Sequence, residues 1–301
     1  MSYSGDVKNE LCRRFPAKHC DSVAECYGIL LYCNTFTGRE IRIITENLRF
    51  AERLPKLFDA TFGCCFDETR ISDSGKHSFI INDKKALEMI FEAFGFSANE
   101  TVSHHINLGV LENDCCRESF FRGAFLAGGS ITDPSKSYHL ELVTPHYYVS
   151  NEMYVLMGEV ELTPKSLSRS GNYITYFKQS AAIEDFLTML GAPQSAMALM
   201  EAKIEKDMRN RVNRRVNCDT ANVSKTVDAA ALQLEAIARL ELDSLPEKLR
   251  ETARLRLENP ELSLTELAEL FDPPVTKSGL NHRLRNLREL ADARNTKINK
   301  N

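Results

Sequence analysis

Hydrophobic and polar positions along this chain follow two periods, and the change between them divides it. Up to about residue 195, alternating runs such as IRIIT (41–45) and YHLELV (138–143) are interleaved with stretches whose apolar residues recur every three or four positions. A period of two buries one face of a strand, and a period near 3.6 gives a helix one apolar stripe. The pattern predicts helix 20–33, strand 39–45, helix 47–61, strand 76–82 and helix 84–94. It then predicts helix 114–129, strand 138–144, helix 146–158, strand 171–177 and helix 179–190. Each series ends in a glycine, Gly95 or Gly191, the usual helix stop.

The two series are one pattern written twice. FIINDKKALEMIFEAFG (79–95) and YITYFKQSAAIEDFLTMLG (173–191) each set a β-branched or aromatic run before an amphipathic helix, and their closing glycines lie 96 positions apart. When ILLYCNTFTGREIRI (29–43) is laid under the opening of the second series, Leu31 falls beneath Leu126 and Cys33 beneath Gly128, an offset of 95. Near-equal offsets in separate segments indicate an internal duplication. Residues 1–195 are therefore expected to form one pseudo-twofold α+β domain, with copies at about 20–95 and 114–191 and their opening helices side by side.

Beyond 195 only helical periods remain. The stretch EKDMRNRVNRRVNCDTAN has few large apolar residues, so 196–222 reads as a basic linker, with Arg209, Arg211, Arg214 and Arg215 as candidate phosphate contacts. Residues 223–301 read as an all-α domain. A helix over 224–242 would place Val227, Ala231, Leu234 and Ala238 on one face, and Ser244–Glu247 reads as a capping box opening a helix to about Glu258. A second box, Ser263–Glu266, opens a short helix that Asp272-Pro273-Pro274 terminates. The next helix, 277–291, buries Leu280, Leu284, Leu287 and Ala291 and turns Ser278, His282 and Arg285 outward, flanked by Asn281 and Asn286. Two short helices with a tight turn, spanning about 263–296, read as a helix-turn-helix. Asn, His, Arg and Ser hydrogen-bond base edges, whereas a merely solvated face carries mostly Glu and Lys.

Composition narrows the class. With 43% hydrophobic and 27% charged residues the 301-residue chain is ordinary globular material. No apolar run approaches the ~20 residues of a membrane helix, and MSYSGDVKNELCRRF carries charge where a signal peptide has its apolar core. A cytoplasmic protein without a membrane partner is expected, and the helix-turn-helix would hold it at the nucleoid. The net charge of −4 is uneven: residues 201–301 hold 19 Lys and Arg against 17 Asp and Glu, the first 200 hold 19 against 25, and 277–300 hold seven against two. A basic end on an acidic body suits an anionic partner. None of the nine cysteines forms a C-x-x-C pair, and adjacent Cys64-Cys65 and Cys115-Cys116 suit neither an ordinary disulfide nor tetrahedral zinc. They read as reduced thiols acting as small apolar residues, with no metal and no cofactor. His104-His105 reads as a loop or strand-edge pair.

FFRGAFLAGGSITDP (120–134) resembles the motif helix of the LAGLIDADG homing endonucleases. The resemblance implies two such helices packed through small residues, here Ala124, Ala127, Gly128 and Gly129, each delivering one carboxylate to a metal pair that cleaves phosphodiesters. Asp133 holds the acidic position of copy two, followed by Pro134, but Gly38 stands beneath it, and Glu40, the nearest carboxylate, belongs to a strand. One carboxylate cannot assemble that site, so no catalytic residue is expected and Asp133 is expected to brace its turn.

The combination resembles the WhiA family of bacterial sporulation and cell-division regulators. The resemblance rests on SGDVKNEL, FRGAFLAGGSITDP, YHLEL, NRRVNCDTANVSKTVDAA, SLTEL and TKSGLNHRLRNL, and covers nearly the whole chain. LYCNTF in copy one replaces the glycine-containing turn usual there. The resemblance implies a transcription regulator tied to cell division, chromosome segregation and, in spore formers, sporulation. The expected partner is double-stranded DNA, entered through the major groove by the second helix of the helix-turn-helix. Expected contacts are Lys277, Ser278, Asn281, His282, Arg285, Asn286, Arg214 and Arg215, and a transcription or cell-division protein is a further expected partner. Two alternatives stand beside this reading: an active LAGLIDADG-type endonuclease, and a cell-division scaffold acting through protein contacts.

Overall fold

The computed structural model describes residues 2–97 and 103–298. The chain divides into two compact units, Met1–Asp207 and Met208–Asn301.

The first unit opens with a helix the apolar pattern did not predict, α1 (Tyr3–Leu11), capped by the Ser2 hydroxyl, which accepts from the Gly5 N–H, with Val7 and Leu11 buried. Nine residues with two apolar anchors are too few for a visible stripe. Copy one follows as α2 (His19–Leu31), β1 (Thr35–Thr37), β2 (Glu40–Thr45), α3 (Leu48–Phe62), β3 (Glu68–Ile71), β4 (His77–Ile81) and α4 (Lys84–Ala93). Copy two is α5 (Asp114–Gly128), β5 (Gly129–Ile131), β6 (Leu140–Thr144), α6 (Tyr147–Glu159), β7 (Lys165–Arg169), β8 (Asn172–Phe177) and α7 (Ser180–Leu190). The two antiparallel sheets share one topology, β1-β2-β4-β3 and β5-β6-β8-β7. Strands β1, β3, β5 and β7 went unseen in the sequence because they are three to five residues long and β3 and β7 are largely exposed, so no buried face marks them.

Helices α2 and α5 lie at the centre, their buried residues merged in a single core. Their closest approach uses Gly28 and Gly123. Of the small residues expected at this seam, Ala124 is buried there and Gly128 packs on Tyr32, the C-cap of α2, and on the Val143 carbonyl, whereas Gly129 starts β5. At the same seam Glu25, fully buried, takes two hydrogen bonds from Arg53, at 2.8 and 2.9 Å, with Arg122 at 3.4 Å. His104 is buried, its Nε2 2.7 Å from the Phe36 carbonyl and its ring 4.4 Å from that of His146, while His105 pairs with Glu152.

Gly191, in the left-handed region at φ 90°, ends α7, and Pro193 begins α8 (Pro193–Ala238). Glu10 accepts from the Gln194 and Ser195 N–H groups at the start of α8, a carboxylate placed where the helix dipole favours it. The expected linker 196–222 and the expected separate helix 224–242 are parts of this one helix. Neither Gly nor Pro occurs between Pro193 and Pro246, so nothing in the sequence interrupts helical backbone. The face expected to be buried, Val227 to Ala238, is not: Val227 is 59% exposed, and Ala230, Ala236 and Ile237 are buried instead.

The second unit continues through a short 3-10 turn (Leu242–Ser244), α9 (Glu247–Glu258), α10 (Leu264–Glu269) and α11 (Lys277–Ile298). Of the two expected capping boxes, Ser263–Glu266 forms, with both reciprocal bonds present. Ser244 instead donates to the Glu241 carbonyl inside the 3-10 turn, leaving Pro246 as N-cap of α9 without a side-chain bond. Ile237, Leu245, Ala253, Leu267, Ala268, Phe271, Leu280, Leu284 and Leu287 form the core. Among the described residues no helix is long and apolar enough to cross a membrane. The final residues of the expected 223–301 domain, 299–301, with Lys300 of its basic stretch, lie outside the described residues.

Candidate nucleic-acid interface

Helix α10, the turn 270–276 and α11 form a helix-turn-helix whose second helix packs against both α9 and α10. Leu280, Leu284, Leu287 and Ala291 are buried as the 3.6 period requires. Thr276 opens α11, its hydroxyl accepting from the Gly279 N–H at 3.1 Å and its carbonyl from Leu280. The same geometry turns Lys277, Ser278, Asn281, His282 and Arg285 into solvent, with Asn286 half-buried. Arg285 is held by Glu289 one turn on, at 3.5 Å. Both side chains are 67% exposed, so the pair is weak and opens at little cost. The Asn286 amide lies 3.4 Å from Nδ1 of His282. With Asn286 as donor, Nδ1 of His282 accepts and the imidazole keeps its Nε2 proton.

Two features went unseen in the sequence. A cleft of about 190 Å³ is lined by Lys225, Gln233, Arg256, Ser263, Thr265 and Lys277. It gathers two lysines, one from α8 and one from α11, which no sequence spacing brings together. Arg256 is buried, gives Nη1 to the Leu262 carbonyl at 2.6 Å, and has its pKa lowered by burial. Arg283 of α11 lies over the ring of Phe271 in the turn, 5.3 Å from its centre. Arg214 and Arg215 are exposed on α8, and neither has an ion-pair partner among the described residues.

The first unit presents a different surface. Four of its strand-borne or turn-borne cations are matched by nearby carboxylates: Arg42 by Glu40, Arg70 by Glu68, Lys76 by Glu46, and Arg169 by Glu141. Asp133 follows β5 and accepts from both the N–H and the hydroxyl of Ser135, at 2.9 and 2.7 Å, which holds its carboxyl below the usual range. It braces its turn, as expected. Gly38 occupies the equivalent place between β1 and β2, and Glu40 lies in β2. Lys8 of α1 is half-buried and donates to the Leu126 carbonyl near the end of α5, and this desolvation lowers its pKa to about 8.

A pseudo-twofold α+β domain of LAGLIDADG type, followed by a helix-turn-helix, defines the class of protein. Residues 117–209 match the model of the WhiA LAGLIDADG-like domain, and residues 212–291 match that of the WhiA C-terminal helix-turn-helix domain. Relatives named "Probable cell division protein WhiA" are 41% identical in Ruminiclostridium cellulolyticum and 38% in Alkaliphilus oremlandii, each alignment covering 97% of both chains. The chain belongs to the WhiA family. Its fold is also that of full-length WhiA from Thermatoga maritima, at a TM-score of 0.59 and 23% identity over 97% of this chain and 99% of that one.

Proposed function

We propose that this chain is a non-catalytic, sequence-specific DNA-binding protein that regulates transcription. The observation that carries the reading is the exposed row Lys277, Ser278, Asn281 and His282 along the first two turns of α11, set on a buried leucine stripe. A helix so anchored enters the major groove by its N-terminal half, where each base pair offers a distinct set of donors and acceptors. Ser278, Asn281, His282 and Arg285 meet base edges, and Asn286 orients His282. Lys277, with Lys225 across the small cleft, and Arg214 and Arg215 on α8 meet phosphates.

The LAGLIDADG-like unit serves as a scaffold in this reading. Paired metals need carboxylates on both sides, and here Asp133 is committed to Ser135 while Gly38 offers none. The relatives' names tie the protein to cell division, and chromosome segregation and sporulation follow from the family resemblance. The site of action is the nucleoid in the cytoplasm. The test is selection from a random duplex pool by the full-length protein, repeated with Asn281→Ala and His282→Ala together. Enrichment of one motif by the wild type, lost in the double variant, is the expected result. An unchanged motif would remove α11 from the interface, and cleavage of the pool in Mg²⁺ or Mn²⁺ would restore the endonuclease reading.

A further inference from the structure

The duplication brings together two pairs of residues that the sequence keeps far apart. Cys20 and Asp21 lie in the first turn of α2, and Cys115 and Cys116 lie in the first turn of α5. Each pair sits at the same place in its copy, since Cys20 and Cys115 are 95 positions apart, as are Asp21 and Cys116. In the fold, the three sulfurs and one carboxylate oxygen all lie within 4.8 Å of one another. Tetrahedral zinc with bonds of ~2.3 Å to sulfur sets neighbouring sulfurs roughly 3.8 Å apart, so small rotamer adjustments close this set around one ion.

We propose that Cys20, Asp21, Cys115 and Cys116 form a zinc site that ties the beginnings of α2 and α5 together. The donor set selects the metal class. Thiolates favour zinc over magnesium or calcium, which take oxygen ligands, and four donors match the coordination number of a closed zinc site. Binding one Zn²⁺ releases the three thiol protons to solvent, giving a complex of three thiolates, one carboxylate and one dication, of net charge −2. The surroundings suit that charge. Lys18 Nζ lies 4.0 Å from the Cys115 sulfur, and the starts of α2 and α5 both present the positive end of a helix dipole. Burial is graded, with Cys116 in the core, Asp21 and Cys115 half-buried and Cys20 exposed, so the ion is reachable from solvent on one side.

Adjacent cysteines argue against this site when read in sequence. Folded, Cys116 faces the helix seam and Cys115 its rim, and the third sulfur comes from the other copy.

The test uses the full-length protein, reduced, stripped with a chelator and titrated with Zn²⁺, then with Co²⁺ as a spectroscopic probe. One ion per chain is expected, with Co²⁺ giving sulfur-to-metal charge transfer and the intense visible bands of a tetrahedral thiolate site. Cys20→Ser, at an exposed position, and Cys115→Ser should each weaken binding at least about 100-fold, since losing even an outer partner of a ligand costs about 10–100-fold. Cys65→Ser and Cys218→Ser, both exposed and outside the cluster, should bind like wild type. Absence of a stoichiometric ion at micromolar zinc would overturn the proposal. So would affinity unchanged in Cys20→Ser, or a Cys20–Cys115 disulfide found by mass spectrometry in protein prepared without an added oxidant.

Discussion

Gly28 and Gly123 hold the same relationship to each other's helix. A Cβ on Gly28 would lie 2.1 Å from the Phe120 carbonyl oxygen, and one on Gly123 would lie 2.1 Å from the Glu25 carbonyl oxygen. The glycines are 95 positions apart, and so are the two carbonyls, so the pseudo-twofold passes between α2 and α5 at this crossing. Backbone cannot retreat as a side-chain tip can. Gly28→Ala and Gly123→Ala should each cost about 1–3 kcal/mol or more, read as a drop in thermal midpoint. Gly158→Ala, within α6 with nothing near its Cβ, should be neutral or stabilising by about 0.5–1 kcal/mol. Equal effects at Gly28 and Gly158 would contradict the crossing.

Glu25 is a buried acid between two arginines of different elements, Arg53 on α3 and Arg122 on α5. Glu25→Ala leaves two guanidinium groups facing an apolar seam and should destabilise the protein by about 3–5 kcal/mol. Chemical denaturation reads this directly, and a loss no larger than that of an exposed pair would show the cluster to be solvated.

His146 links the first unit to pH. Burial, with the neighbouring His104, lowers its pKa to about 4. A depressed value means that the unfolded chain binds more protons here between about pH 6.5 and 4, so stability is complete above that window and falls as pH drops through it. His146→Gln should reduce the loss of thermal midpoint between about pH 7.5 and 5. An unchanged slope would assign the acid sensitivity elsewhere.

Asp133 tests the catalytic question. Asp133→Asn should leave DNA affinity within a few fold, and neither protein should nick supercoiled DNA in Mg²⁺ or Mn²⁺. Metal-dependent nicking abolished by the substitution would establish a nuclease.

Much of this architecture was legible because long apolar stripes and a repeated offset are strong signals. Leu280, Leu284 and Leu287 announced α11 and, by exclusion, its exposed face. Signals failed where local chemistry was ambiguous or spatial. The Arg- and Asn-rich run 196–222 looked like a linker because its side chains are solvated, yet its backbone is helical throughout. Ser244 offered a capping box but found a nearer carbonyl at Glu241. The Lys225–Lys277 cleft joins residues from separate elements that no spacing along the chain encodes, and the cysteine cluster, though it follows the 95-residue offset, shows itself only once α2 and α5 are packed.

The central claim is that α11 reads DNA, and it is tested most directly by titrating single variants on a preferred and a scrambled duplex at about 50 and 200 mM salt. Asn281→Ala and Arg285→Ala should cost about 1–3 kcal/mol on the preferred site and little on the scrambled one. Lys277→Ala should weaken both alike and reduce the salt slope by about 1, as loss of one phosphate contact does. Folded variants that bind both duplexes as the wild type does would contradict the claim.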